Sequence, residues 1–267
     1  MASKKTIGQV KDILDEAADE GVLSQAALQV IDINDAVLAG IDGTAIDDIV
    51  ATDVTLMTII IDDSGSINAA DLVDAVREGQ NMLITALENS KQKDNILVAQ
   101  WKLGSKSDLV HSYVPVEQAV RLDRSNYNPN SGTSLFDVWC DVLAANVAYA
   151  QQLKASGTPV KNVVVVITDG QDVSSRRYRA EDCKRINKDL LLSEQFILAF
   201  VGMAENAQDE TLFRMVAEDM GFPDGAVLTV QATPSEMRKV FNMVSQSAIR
   251  ASQKAVSAAA QNTFFAP

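Results

Sequence analysis

Three oxygen-bearing side chains alternate in Ile59-Ile60-Ile61-Asp62-Asp63-Ser64-Gly65-Ser66, where an apolar run stops abruptly. Asp62, Ser64 and Ser66 offer no nitrogen or sulfur, a donor set that suits a hard cation such as Mg²⁺. Alternate positions in a tight loop can aim three side chains at one point, and Gly65 lets the backbone turn there. Taken alone, the same pattern also serves as ordinary loop chemistry capping a following helix. Two later stretches carry matching groups. Ser131-Gly132-Thr133-Ser134 precedes an apolar-periodic segment, and Thr168-Asp169-Gly170 follows Val163-Val164-Val165-Val166-Ile167.

These groups need a scaffold that brings three loops to one place. Residues 54–61 are almost continuously apolar, as a parallel strand covered on both faces should be. In open α/β sheets, ligands sit outside the carboxyl ends of such strands. Residues 96–103 and 109–114 read as two strands joined by a short turn, hence an antiparallel hairpin. Residues 196–203 and 226–230 read as a fifth and a sixth strand. Between strands, Leu72, Val76, Leu83 and Leu87 mark one helix face, and Leu135, Val138, Val142 and Ala145 a second. Leu212, Met215 and Val216 mark a third, and Met237, Val240, Phe241 and Val244 a last one that Pro234 opens. Asn68 with Asp71, and Ser134 with Asp137, have the spacing of helix N-caps. The expected fold is α/β: a three-layer, doubly wound, mostly parallel six-stranded sheet with one antiparallel edge strand and helices on both faces.

The chain at this point resembles the von Willebrand factor A (vWA) domain family with its metal-ion-dependent adhesion site (MIDAS). That family carries Asp-x-Ser-x-Ser on the first strand, a Thr before a middle helix and an Asp after the fourth strand. Asp62, Ser64, Ser66, Thr133 and Asp169 match all five positions in order, and the resemblance covers roughly residues 54–250. It implies that Ser64, Ser66 and Thr133 bind Mg²⁺ (or Mn²⁺ or Ca²⁺) directly when a partner is present, and that Asp62 and Asp169 bind directly or through water. A partner's Asp or Glu would then complete the shell. The family is mostly non-enzymatic and uses the metal to bind other proteins. In members that switch, the final helix slides. Arg176, Arg177 and Arg179 fall in the loop that borders the metal, where they would form a cationic rim for an acidic partner.

Composition bounds the rest. The 267 residues are 47% hydrophobic and 22% charged, with a net charge of −13. That balance argues against nucleic acid and anionic membrane surfaces as partners. Residues 1–50 hold ten acids against three lysines, a net of −7. Ile7, Val10, Leu14 and Ala17 predict a helix over 5–20 with Gly21 as its stop, and Leu23, Ala27 and Ile31 a second short one. We expect an acidic helical extension over 1–50, packed on the main domain or docked on a neighbouring copy or a partner. A vWA domain over 51–250 and a frayed Ala/Ser-rich tail over 251–267, ending in Phe264 and Phe265, would follow. Met1-Ala2-Ser3-Lys4-Lys5 lacks the apolar core of a signal peptide, and no run reaches transmembrane length. Cys140 and Cys183 read as buried free thiols, which points to a reducing, cytoplasmic setting and an intracellular prokaryotic-type family member.

Enzymatic readings fare worse. An aspartyl-nucleophile phosphatase would carry Asp where Ser64 stands. A serine hydrolase needs a base beside its nucleophile, and His111 is the sole histidine, on the edge strand. A metal hydrolase lacks an evident general base, and no phosphate-binding Gly-rich loop is present. The expected function is a non-enzymatic, metal-dependent interaction module or adaptor. The alternatives are the metal-binding subunit of a complex driven by a separate AAA+-type ATPase, as in chelatase-like members, and a self-assembling structural protein whose acidic arm reaches the metal of another copy.

Overall fold

Nine consecutive buried residues, Val54–Asp62, form strand β1, and their apolar run places them at the centre of a six-stranded sheet. The computed structural model describes residues 5–266. Upstream lie helices α1 (Ile7–Asp19), α2 (Gln25–Leu28) and α3 (Asp35–Gly40). Downstream follow α4 (Gly65–Ala69), α5 (Val73–Glu88), β2 (Ile96–Leu103), β3 (Ser107–Pro115), α6 (Leu135–Ala155), β4 (Val160–Thr168), α7 (Ala180–Leu192), β5 (Phe196–Ala204), α8 (Ala207–Asp219), β6 (Val227–Gln231), α9 (Pro234–Ser252) and α10 (Ala258–Gln261). The strand order is β3-β2-β1-β4-β5-β6, parallel except for the β2–β3 edge pair. The register sets Asp62 beside Leu103 and Ile61 beside Ile167, so the carboxyl ends of β1, β2 and β4 finish level.

Alternation along β1 feeds two cores. Met57, Ile59 and Ile61 face α5 and α9, while Ile60 faces the side of α6 and α7. Helix α6 is unusual in being buried all round, with 17 of its 21 residues inside. The cause is the N-terminal segment. Val10, Leu14 and Ala17 of α1, with Val37 of α3, are buried in the same cluster as α6. Thr6 caps α1 through a reciprocal pair with Gln9, and Gly21, at φ +77°, ends it in the left-handed region. The acidic extension thus packs on its own domain as an outer layer. Residues 1–4 of the signal-peptide reading, and Pro267, lie outside the described residues.

Several local expectations fail for stated reasons. Asn68 lies inside α4 and Asp71 takes φ +55°, so α5 starts at Val73 without a side-chain cap. On α8 the core-facing residues are Phe213 and Ala217, and Met215 is 54% exposed. The large Phe213 ring takes the inner place, 6.3 Å from that of Phe200, and rotates the face. The tail is not frayed. Phe264 is buried beneath the α9 side of the sheet, and Gln261 donates to the carbonyls of Leu191 and Phe196 at 2.8 and 3.0 Å. Arg250 ties α9 to the Phe264 and Ala266 carbonyls at 3.3 and 3.0 Å. Among the described residues, no helix is long and apolar enough to cross a membrane.

Candidate metal centre

Backbone hydrogen bonds lace three loops together at the carboxyl ends of β1 and β4. The carbonyl of Asp63 accepts the N–H groups of Asn130 (3.0 Å) and Ser131 (3.1 Å), and Gly65 N–H donates to Ser131 O at 3.0 Å. Ser134 N–H reaches Gly104 O in the β2–β3 turn at 2.9 Å. The N–H groups of Val173 and Ser174 both donate to Thr133 O at 3.0 Å. The loop after β4 is therefore held against the loop before α6, which in turn is held against the loop after β1.

This lacing brings all five predicted oxygen donors together. Ser64 Oγ and Ser66 Oγ are 2.8 Å apart, and Ser66 Oγ donates to Asp169 Oδ1 at 2.8 Å. Ser64 Oγ stands 3.5 Å from that same carboxylate oxygen. Thr133 and Asp62 meet beside Gly170. A Cβ there would lie 2.8 Å from Thr133 Oγ1 and 3.7 Å from Asp62 Oδ2, which is why the loop turns on a glycine. Asp62 is fixed in turn, since its Oδ1 accepts Ser64 N–H at 2.8 Å and its Oδ2 accepts the Thr168 hydroxyl. Tyr127 OH donates to the Asp62 carbonyl. Asp62, Ser64 and Thr133 are buried, Asp169 is half-buried and Ser66 is exposed. The cluster therefore opens to solvent on the Ser66 and Asp169 side.

Its electrostatics are those of two carboxylates facing one another with no side-chain cation among their hydrogen-bond partners. Burial pushes the Asp62 carboxyl up, and burial together with the charge of Asp62 lifts Asp169 to about 7. Among the described residues there is no group of three or more His, Cys, Asp or Glu placed to share a metal. This cluster differs in kind, with two carboxylates and three hydroxyls. Ionised, the carboxylates formally neutralise a divalent ion, and the hydroxyls add ligands without charge. The donor set fits a hard divalent cation.

Sequence reading missed the residues behind this arrangement. Thr168, buried, orients Asp62. Asp137 does not form a cap with Ser134. Its carboxylate accepts the N–H groups of Arg176 (3.1 Å), Arg177 (3.1 Å) and Tyr178 (2.9 Å), which moulds the loop after β4. Asp141, one turn further on, is 1% exposed and takes both arms of Arg177 at 2.8 and 2.6 Å. It also accepts from Asn34 (2.8 Å) and Ser107 (2.6 Å), and the Tyr178 hydroxyl takes Asp32 N–H at 2.7 Å. The N-terminal layer is thus wired to the site loop. All three arginines of the expected rim, Arg176, Arg177 and Arg179, are exposed on this loop. Arg177 divides its guanidinium between the exposed Asp32 and the buried Asp141 carboxylate, which would otherwise lack a countercharge. Among the described residues, Arg176 and Arg179 make no ion pair, whereas Arg177 does. His111 pairs in register with Gln100, midway along the edge strand and apart from the three loops.

No protein-family model and no curated protein matches this sequence. Solved structures do. A von Willebrand factor type A protein from Catenulispora acidiphila aligns over 74% of this chain and 43% of its own length, at 17% identity and TM-score 0.50. This is a vWA-like fold. The PilB minor pilin from Streptococcus sanguinis aligns over 76% of this chain and 63% of that one, at 12% identity and TM-score 0.51. Proximal thread matrix protein 1 from the mussel byssus aligns over 74% and 47%, at 14% identity and TM-score 0.50. The chain therefore spans between 43 and 63% of the length of these three proteins. At such identities the likeness concerns the fold alone.

Proposed function

We propose that this chain is a non-enzymatic, divalent-metal-dependent interaction module that binds an acidic group of a protein partner. Asp62, Ser64, Ser66, Thr133 and Asp169 would hold Mg²⁺, or Mn²⁺ or Ca²⁺ in its place. The observation that carries this reading is the meeting of five oxygen donors from three loops in a cluster that opens on one side. A metal bound there would supply an electrophilic centre for one further oxygen. The chain's own residues do the rest. Thr168 and Ser64 N–H orient Asp62, Gly170 leaves room for Thr133, and exposed Ser66 marks the side from which a carboxylate arrives. Arg176 and Arg179 would form the cationic rim, acting on approach and selectivity more than on affinity. The two free thiols fit a cytoplasmic location.

Calorimetry with Mg²⁺ on the natural protein and on Asp62→Ala tests the metal site. Binding should be lost in the variant while the fold survives, and equal binding by both would sink the reading. Pull-down with and without EDTA then tests the partner. The self-assembly alternative is narrowed by the packing of α1, whose apolar face is buried in its own domain. Its exposed carboxylates, such as Glu16 and Asp19, could still reach another copy. A size measurement with and without chelator separates that alternative. Co-purification with an ATPase would favour the chelatase-like one.

A further inference from the structure

Cys140 and Cys183 are 43 positions apart in the chain, yet their Sγ atoms stand 3.5 Å from one another. Cys140 lies in the second turn of α6 and Cys183 in the first turn of α7. Both are free and fully buried. A disulfide has an S–S bond of about 2.05 Å, so closure asks the two sulfurs to approach by about 1.5 Å. Small χ1 adjustments on two facing helices can supply that. The surroundings favour reaction within the pair over reaction with an outside thiol. The nearest other polar atom recorded at either sulfur is the Phe136 carbonyl, 3.9 Å from Cys183 Sγ. Burial, and then the neighbouring Cys183, push the Cys140 thiol up. Such a thiol is rarely a thiolate, so its oxidation is slow, and it is the contact with Cys183, not acidity, that favours the pair.

We propose that Cys140 and Cys183 are a redox modification site, a dithiol that closes to an intramolecular disulfide with a small peroxide as the oxidant. One sulfur, as thiolate, attacks a peroxide oxygen; the O–O bond breaks, and a sulfenic acid and hydroxide result. The second sulfur attacks the sulfenic sulfur; the S–S bond forms, the S–O bond breaks, and a second hydroxide leaves. The two protons of the original thiols convert both hydroxides to water. The dithiol loses two electrons and the peroxide gains them. The position of the pair gives this a consequence. Helix α6 begins directly after Thr133 and Ser134, and α7 follows the loop that starts at Asp169. The cross-link would tie together the starts of the two helices that carry two of the three site loops. The proposal stands whether or not the oxygen cluster binds a metal.

The test uses the full chain, reduced, and then exposed to hydrogen peroxide without denaturant. After quenching, alkylation under unfolding conditions and mass spectrometry should show a loss of two hydrogens and no alkylated cysteine. A peptide linking Cys140 to Cys183 should appear, and dithiothreitol should restore both thiols. Closing a loop of this length should raise Tm by on the order of 5 °C or more. Peroxide should act faster than glutathione disulfide, which cannot enter the helix interface. Cys183→Ala should give instead an over-oxidised or intermolecularly linked Cys140, and Cys140→Ser supplies the reciprocal test if the first variant folds poorly. The proposal is overturned if both thiols stay alkylatable after peroxide treatment. Oxidation to sulfinic acid without a linked peptide, or a disulfide that joins two chains, would overturn it as well.

Discussion

Helices α5 and α6 flank the same sheet, one on each face, and they solve burial differently. Helix α5 is amphipathic. It sets Ala75, Val76, Leu83, Ile84 and Leu87 against the sheet and leaves its outer face to solvent. Helix α6 is covered on its outer face by α1 and α3, so polar residues at inward or outward positions alike end up inside. Asp137, Asp141, Asn146 and Gln151 are all buried there. Buried polar groups cost stability unless partnered, and here the partners are the site loop, the N-terminal layer and, for Asn146, Thr58 and Tyr113 of the sheet. The α5 face is held by apolar fit, and the α6 face by a polar network that also shapes the candidate metal centre. The comparison teaches that the extension over residues 1–50 belongs to the architecture of the site, although none of its residues enters the oxygen cluster.

The largest effect should come from breaking that network. In Arg177→Met, Asp141, 1% exposed in the natural protein, loses its countercharge. A buried ion pair broken from one side costs about 3–5 kcal/mol. The double variant Arg177→Met with Asp141→Leu should recover much of the loss, because no buried charge is left. Chemical denaturation of the two variants checks this, and equal destabilisation would show that packing rather than charge governs the α6 face.

On the α5 face the corresponding test is apolar. Phe264, 4% exposed, closes the bottom of the α9 core. Phe264→Ala should cost about 3 kcal/mol by lost burial and cavity formation. Hydrogen exchange should then rise at the end of α9, which Arg250 holds to the tail backbone. A change confined to residues 258–266 would mean that the tail is an ornament on this face. A smaller effect is expected at Gly79 of α5. A Cβ there would lie 2.2 Å from Phe241 Cδ2, in the contact between α5 and α9. Ala gains up to about 1 kcal/mol in helix propensity over Gly, whereas overpacking a buried ring costs about 1–3 kcal/mol. Gly79→Ala should therefore destabilise by about 1 kcal/mol in a thermal melt, and added Phe241→Leu should relieve part of it.

The two faces also differ in how far they can be read from the chain. β1, β4 and β5 are runs of apolar residues because both sides of each strand are covered, and such runs survive without knowledge of the neighbours. The five oxygen donors are equally legible, since each sits within a few residues of a strand or helix end. The network around α6 is not. Asp141 meets Arg177 across 36 positions and Asn34 across 107, and nothing local announces either. The spacing of Ser134 and Asp137 suggested a cap because that motif is local, but three backbone N–H groups from the loop after β4 compete for the carboxylate and win. The phase of α8 is ambiguous in the chain because Leu212, Phe213, Met215 and Val216 are all apolar, so only the size of the Phe213 ring decides which side faces in.

The smallest effect separates the polar interior of the α6 face from its rim. Lys154, near the end of α6, meets Glu20 at the end of α1 at 2.6 Å, and Gln151 donates to the other oxygen of Glu20 at 3.0 Å. Bonds from Lys154, then from Gln151, hold the Glu20 carboxyl below its ordinary range. A depressed carboxyl contributes stability above its unfolded pKa and loses that contribution as pH falls through the folded one, so the effect of this pair should fade toward acid. Glu20 is 49% exposed, and solvent screening holds such pairs to about 0.5 kcal/mol or less. Glu20→Gln should therefore lower stability slightly at pH 7 and not at pH 3, and the difference should shrink in high salt. Should Glu20→Gln cost as much as Arg177→Met, the outer layer would be held by its rim, and the distinction between a network-held and a fit-held face would fail.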